Sequence, residues 1–354
     1  MTTHRWYPLL RTLLLTQRPT PPQTAKNRAT QGFTVVELLI GAFIGFMALS
    51  GLLYLMTQVL QTEQRDVARV ETQQEMSLAL NFIREELQEA IYVYPGGCLN
   101  TLVSSDCPAR TTTLNAGLGL ADNNVNNIPV LAFWKYEQLP YTATDPLPAD
   151  CTTLPTSAQG ECTAARVARN AMTLVIYTLR RNNDTTLWRG PARLIRYQLR
   201  KYASLSTPTA MATNYANDPS DPNFLTWVCQ NGTVSNGCNI ANNGSVLIDY
   251  VDFWPAQTSV TSTQPCVTND YSRSPLNPAI NASNGSDSFY ACIARPPIQE
   301  TSIDFMQDVQ VFLRGNAVTR AGLPANSRPP SYLPNLDTRV QVRSAFRRTP
   351  PTLN

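Results

Sequence analysis

Histidine is almost missing from this chain. Among 354 residues only His4 is one, and it stands in a short basic stretch ahead of anything that can form a core. Ser-His-Asp and Cys-His catalysis, and metal sites with imidazole ligands, are thereby excluded from the body of the protein. There is no C-x-x-C pair and no Walker phosphate loop, so any ATP-driven step must come from another protein. Charge is also scarce. Asp, Glu, Lys and Arg make up 15% of the chain, 28 basic against 25 acidic residues, which gives no general electrostatic case for nucleic acid. Carboxylate pairs remain at Glu85-Glu86, read as a solvated helix face, and at Asp249 with Asp252, flanking a strand. With no pocket signature beside them, the chain reads as a non-enzyme without cofactor or metal.

What is present in abundance is one apolar run. From Phe33 to Met56 there are 24 residues with a single charge, Glu37. As a helix rising ~1.5 Å per residue they cover ~36 Å, enough to cross a bilayer. A carboxylate inside such a span costs roughly 2.5–3.5 kcal/mol near the centre on insertion scales, so Glu37 asks for a partner. Gly41-x-x-x-Gly45 is a small-residue spacing suited to close helix approach, though a lone instance is weak.

Gly32 directly before the run, then Phe33-Thr34-Val35-Val36 and Glu37, resembles the processing motif of type IV prepilins and secretion pseudopilins. The resemblance implies cleavage by a prepilin peptidase between Gly32 and Phe33, methylation of the new N-terminus at Phe33, and pairing of Glu37 with the terminal amine of a neighbouring subunit during assembly. Residues 1–32 would then be a cleaved basic leader, 33–94 the N-terminal helix with 33–56 in the membrane, and 95–354 a periplasmic or extracellular head. The implied partners are the peptidase, other major and minor pilins or pseudopilins, and an inner-membrane assembly platform.

Charge placement fits that topology. The leader holds Arg5, Arg11, Arg18, Lys26 and Arg28 and no acid, leaving 23 basic against 25 acidic residues, a net of −2, after removal. Positive charge ahead of the span places the N-terminus in the cytoplasm and the bulk outside. Eight cysteines suit an oxidising compartment: Cys98, Cys107, Cys151, Cys162, Cys229, Cys238, Cys266 and Cys292 all follow the span. Successive pairs are 9, 11, 9 and 26 residues apart, which reads as four sequence-local disulfides, although eight cysteines allow about 105 pairings.

Beyond Met56 a helical period continues through Val67, Val70, Met76, Leu80, Ile83, Leu87 and Ile91, with Pro95-Gly96-Gly97 as its stop. Strands are expected at 130–136, 172–180, 192–202, 246–254, 303–314 and 338–346, the second and third forming a hairpin over the helix's apolar face. Long Asn-, Thr- and Pro-rich loops lie between, each holding one proposed cysteine pair. The expectation is an α+β fold: a long helix, half transmembrane and half amphipathic, packed on an antiparallel sheet with stapled loops.

The strand sequences Leu194-Ile-Arg-Tyr, Leu247-Ile-Asp-Tyr-Val-Asp-Phe and Val309-Gln-Val-Phe-Leu-Arg-Gly-Asn resemble large minor pilins of the PilW type and J-type pseudopilins. The segment Ser331-Tyr-Leu-Pro and the Asn-rich loops are also similar to pseudopilins that cyanobacteria use in gliding filaments and polysaccharide secretion. The function implied is a subunit that initiates or caps a pilus or pseudopilus. Two rivals stand beside it. One is a membrane-anchored module whose Gly-Phe-Thr-Val-Val-Glu is fortuitous; the other is a pilin stalk carrying an adhesin for glycan or DNA, with Trp188 and Trp227 as contacts. Asp218-Pro-Ser-Asp221-Pro-Asn223 offers oxygen ligands for calcium but reads better as turns. Trp134, Tyr136, Tyr177 and Trp254 read as core.

Overall fold

A computed structural model describes residues 32–100, 118–120, 126–183, 186–206, 215, 218–219, 240, 244–253, 266, 270–275, 287–294 and 307–342. The chain divides into two compact units, residues 1–59 and 60–354. Helix α1, Val35–Gln88, runs through both.

In the first unit every described residue is exposed, including Phe33 at 82% and Leu38 at 68%. In the second unit α1 turns one face inward. Thr72, Met76, Ala79, Leu80, Ile83 and Leu87 are buried, at steps of three and four that stack side chains on one face. Val67 and Val70, expected on that face, are instead 55% and 51% exposed. Ala68 and Thr72 occupy the inward phase in their place, because small side chains let the helix approach the sheets.

The helix also ends earlier than its period suggested. It stops at Gln88, and Ala90–Val93 form strand β1, fully buried. The run Ile91-Tyr92-Val93-Tyr94 is β-branched and aromatic, and pairing with β2 overrides the helical spacing of Ile91. Pro95-Gly96-Gly97 has another use. It opens the short helix α2, Gly96–Asn100, where a Cβ on Gly96 would lie 2.0 Å from the Arg273 carbonyl.

Two antiparallel sheets follow where one was expected. The first joins β1, β2 (Asn127–Gln138), β3 (Asn170–Arg181), β4 (Ala192–Arg200) and β5 (Ser245–Val251) in chain order. The second joins β6 (Tyr271–Ser274), β7 (Phe289–Ala294), β8 (Asp308–Arg314) and β9 (Asn335–Gln341). The β3–β4 hairpin forms as expected, in register from Thr173↔Arg200 to Arg181↔Ala192. Unexpected were β1, β6, β7 and helix α3, Thr156–Ala168. A bridge between Val251 and Gly315 links the two sheets.

One core holds α1 against both sheets: Met76, Leu80, Ile83 and Leu87 meet Val175, Tyr177 and Leu194 of the first, and Phe289, Val311 and Leu313 of the second. The far face of the first sheet buries a second cluster around Tyr94, Trp134, Ile176, Tyr197 and Tyr215. Covered on both faces, β3 reads as a near-continuous apolar run. The layout is α+β with a long apolar N-terminal helix and disulfides joining Cys151 to Cys162 and Cys266 to Cys292, two of the four expected pairs. Cys98 is disulfide-bonded too, while Cys107, Cys229 and Cys238 lie outside the described residues.

Candidate functional site

The residues singled out by sequence sit together at the start of α1. Gly32, Phe33 and Thr34 precede the helix without regular secondary structure, and all are exposed. The Thr34 carbonyl accepts from the Glu37 and Leu38 amides at 3.0 and 3.2 Å, and its hydroxyl Oγ1 accepts from the Glu37 amide at 3.3 Å. Thr34 is therefore the N-cap, and Thr34-Val35-Val36-Glu37 has the spacing of a capping box. This gives Glu37 a local reason to be acidic, since a carboxylate in the first turn faces the positive end of the helix dipole. That effect is worth about 0.3–1 kcal/mol, short of the roughly 2.5–3.5 kcal/mol that burying the charge mid-bilayer costs.

A Cβ at Gly32 would meet nothing within 4 Å, and the same holds at Gly41, Gly45 and Gly51. Among the described residues, no packing within this chain requires glycine there. Helix α1 is long and apolar enough to cross a membrane: it holds an 18-residue window of mean hydropathy 2.2, none of it buried. Of the expected leader, 1–32, residues 1–31 lie outside the described residues.

The carboxylate pairs behave differently from expectation. Glu85 is exposed, but Glu86 is buried, correcting its reading as a solvated residue. Arg196 clamps it with Nη2 at 2.7 Å from Oε1 and Nε at 2.8 Å from Oε2. Lys135 Nζ lies 2.9 Å from Oε1, and the Tyr177 hydroxyl donates to Oε2. Burial pushes the carboxyl up, and the Arg196 hydrogen bonds and charge, assisted by Tyr177 and Lys135, more than reverse it, so it stays ionised below the usual range. Burial and the Glu86 charge raise the Tyr177 phenol.

Asp252 is fully buried as well. Arg314 Nε and Arg328 Nη2 donate to Oδ2 at 2.8 and 2.5 Å, and Arg328 Nη1 and Asn316 Nδ2 to Oδ1, both at 2.9 Å. Its partner in the expected pair, Asp249, points elsewhere and accepts from Asn182 Nδ2 at 2.8 Å and the Arg189 amide at 3.0 Å. Glu86 and Asp252 are thus saturated with donors, which suits them to fixing α1 and the 315–334 segment rather than to moving protons.

Sequence reasoning missed both clusters, though a signal existed for the first. In β4, Leu194 faces the α1 core while Ile195 and Tyr197 face the second cluster, so Arg196 falls on the helix side and needs an acid there. Of the aromatics, Trp134 and Tyr177 are core, with Trp134 Nε1 donating to the Tyr94 hydroxyl at 2.9 Å. Tyr136 is 48% exposed, unlike its expected burial. Trp188 is half-buried under the Arg193 guanidinium at 5.0 Å. Trp227, Trp254, Asp221 and Asn223 lie outside the described residues.

Comparisons with protein-family profiles, with curated proteins and with solved structures found no match.

Proposed function

We propose that this chain is a minor pilin or pseudopilin: a subunit made in the bacterial inner membrane, cut by a prepilin peptidase after Gly32, methylated at Phe33 and packed through residues 33–60 into a type IV pilus or a secretion pseudopilus. The N-terminus lies in the cytoplasm and the head in the periplasm until assembly carries it to the surface. Motility, adhesion or secretion is the service such a filament performs. The size of the head suits a subunit at or near the filament tip.

One observation carries this reading. A single 54-residue helix spends its second half as core, while the first half is apolar and exposed, with its one charge in the first turn. An unpartnered apolar half-helix needs lipid or other helices, and a helix that can exchange one for the other serves both membrane storage and filament assembly. Glu37, whose local stabilisation falls short of its cost in lipid, finds a cationic partner in the new amine of a neighbouring Phe33.

The test is the intact mass and N-terminal sequence of the membrane-extracted protein, beside a strain lacking the prepilin peptidase. A chain beginning at methylated Phe33 only in the competent strain is expected. An uncut chain in both strains overturns the proposal and leaves a membrane-anchored module.

A further inference from the structure

We propose that the cleft beside α3 is a binding site for a single neutral pyranose ring. The cleft lies on the second unit and rests on its own geometry, independently of filament assembly. Its accessible volume is ~140 Å³. That is the size of a cavity holding one six-membered ring, and well below the roughly 300–1,000 Å³ of sites for larger ligands.

Its lining is built from converging elements. Successive exposed turns of α3 supply Ala164 and Ala168, the start of β3 supplies Ala171 and Met172, and β2 supplies Tyr136. The methyl groups make an apolar floor for ring C–H bonds, and the Tyr136 ring, 48% exposed, offers an aromatic wall. The polar counterpart is Asp218, 7% exposed. The fully buried Tyr215 donates its hydroxyl to Asp218 Oδ2 at 2.8 Å, fixing the carboxylate in place before any ligand arrives.

The charge pattern selects among ligands. Lys201 also lines the cleft, but Glu161 already holds it at 3.4 Å and it lies over the Tyr202 ring, so it offers no surplus charge to an anion. Among the described residues the lining supplies one carboxylate, short of the six to eight oxygen ligands that calcium takes. A polyhydroxylated neutral ring uses what is there: an oriented carboxylate as acceptor, the Asn170 amide at the rim, methyl groups below and a ring beside it.

The experiment is saturation-transfer NMR on the full chain, held in a detergent without a sugar headgroup, against methyl pyranosides of glucose, galactose, mannose, fucose and N-acetylglucosamine. Tetramethylammonium and inorganic phosphate serve as charged probes. At least one pyranoside should bind with affinity on the order of 1 mM, as its size dictates. Ala168→Phe, on an exposed helix position, should fill the cleft and weaken that binding by about tenfold or more. Val167→Phe, one residue away, 81% exposed and outside the lining, should leave it unchanged. The proposal is overturned if no pyranoside binds, if a charged probe binds in preference, or if both substitutions act alike. Processing at Gly32 is read separately by mass, so either proposal can fail without the other.

Discussion

At the scale of single residues, Glu86 ties α1 to the first sheet. Its carboxylate is shared by Arg196, Lys135 and Tyr177, from three different strands. Glu86→Gln removes the negative charge and leaves two cations buried, so a loss of about 3–5 kcal/mol is expected in denaturant unfolding. The pH dependence follows from the sign of the shift. With the folded carboxyl held below the ordinary 4.5, stability is fully present above that value and is lost as pH falls through the folded-state pKa. Asp252 shifts in the same direction from 3.8. Thermal melts from pH 7 down to pH 3 should therefore show a steep acid limb in the wild type and a shallower one in Glu86→Gln. Little of this was legible in sequence. Glu85, Glu86 and Glu89 look alike along a charged helix face, and only the inward register of Arg196 tells them apart. Glu37 makes the opposite case, since its isolation in an apolar run marks it at once. Glu37→Leu should keep membrane insertion and the melting temperature of the head, yet cut incorporation into filaments; unimpaired incorporation would count for a fortuitous motif.

At the scale of elements, the strands with clean alternation were legible and the short ones were not. In β8, Val309, Val311 and Leu313 point inward between polar neighbours, a period-2 pattern that reads directly. β6 is only Tyr-Ser-Arg-Ser and pairs with β7, so local sequence carries no trace of this strand. β1 hides for another reason: Ile91 continues the helical spacing by coincidence. Its outer edge is completed by a side chain from far along the chain. The Gln307 amide accepts from the Val93 N–H at 2.9 Å and donates to the Val93 carbonyl at 3.0 Å, standing in for a neighbouring strand. Gln307→Leu leaves both groups buried without that partner and should cost roughly 2–6 kcal/mol, at about 1–3 kcal/mol for each unmet group. The two halves of α1 invite a paired comparison. Leu80→Asp places a charge in the shared core and should unfold or strongly destabilise the head. Ile44→Asp, at an exposed position, should leave head melting unchanged while weakening retention in membranes.

At the scale of the whole molecule, the sequence's long polar loops stand beside small cores, and cross-links bear on how such a chain stays folded. Even cysteine number and their position after the apolar run made disulfides legible; which loop each one closes became definite at Cys151–Cys162, which ties a 3-10 turn to α3, and at Cys266–Cys292, which ties a loop residue to β7. In the first, the bonded residues are 11 apart and in the second 26. If restriction of the unfolded chain is the main effect, the longer loop is worth more, about 3.5 against about 2.8 kcal/mol. Replacing each pair by alanine should then lower the melting temperature in both cases, with the larger drop for Cys266→Ala/Cys292→Ala. That variant also opens space beside β7, where Cys292 is 1% exposed, so both causes act in one direction there. Chemical reduction of the wild type separates them, because it opens the loops without removing a side chain. An ordering by loop length that persists under partial reduction would assign the effect to the unfolded chain. A loss confined to the alanine variants would assign it to packing.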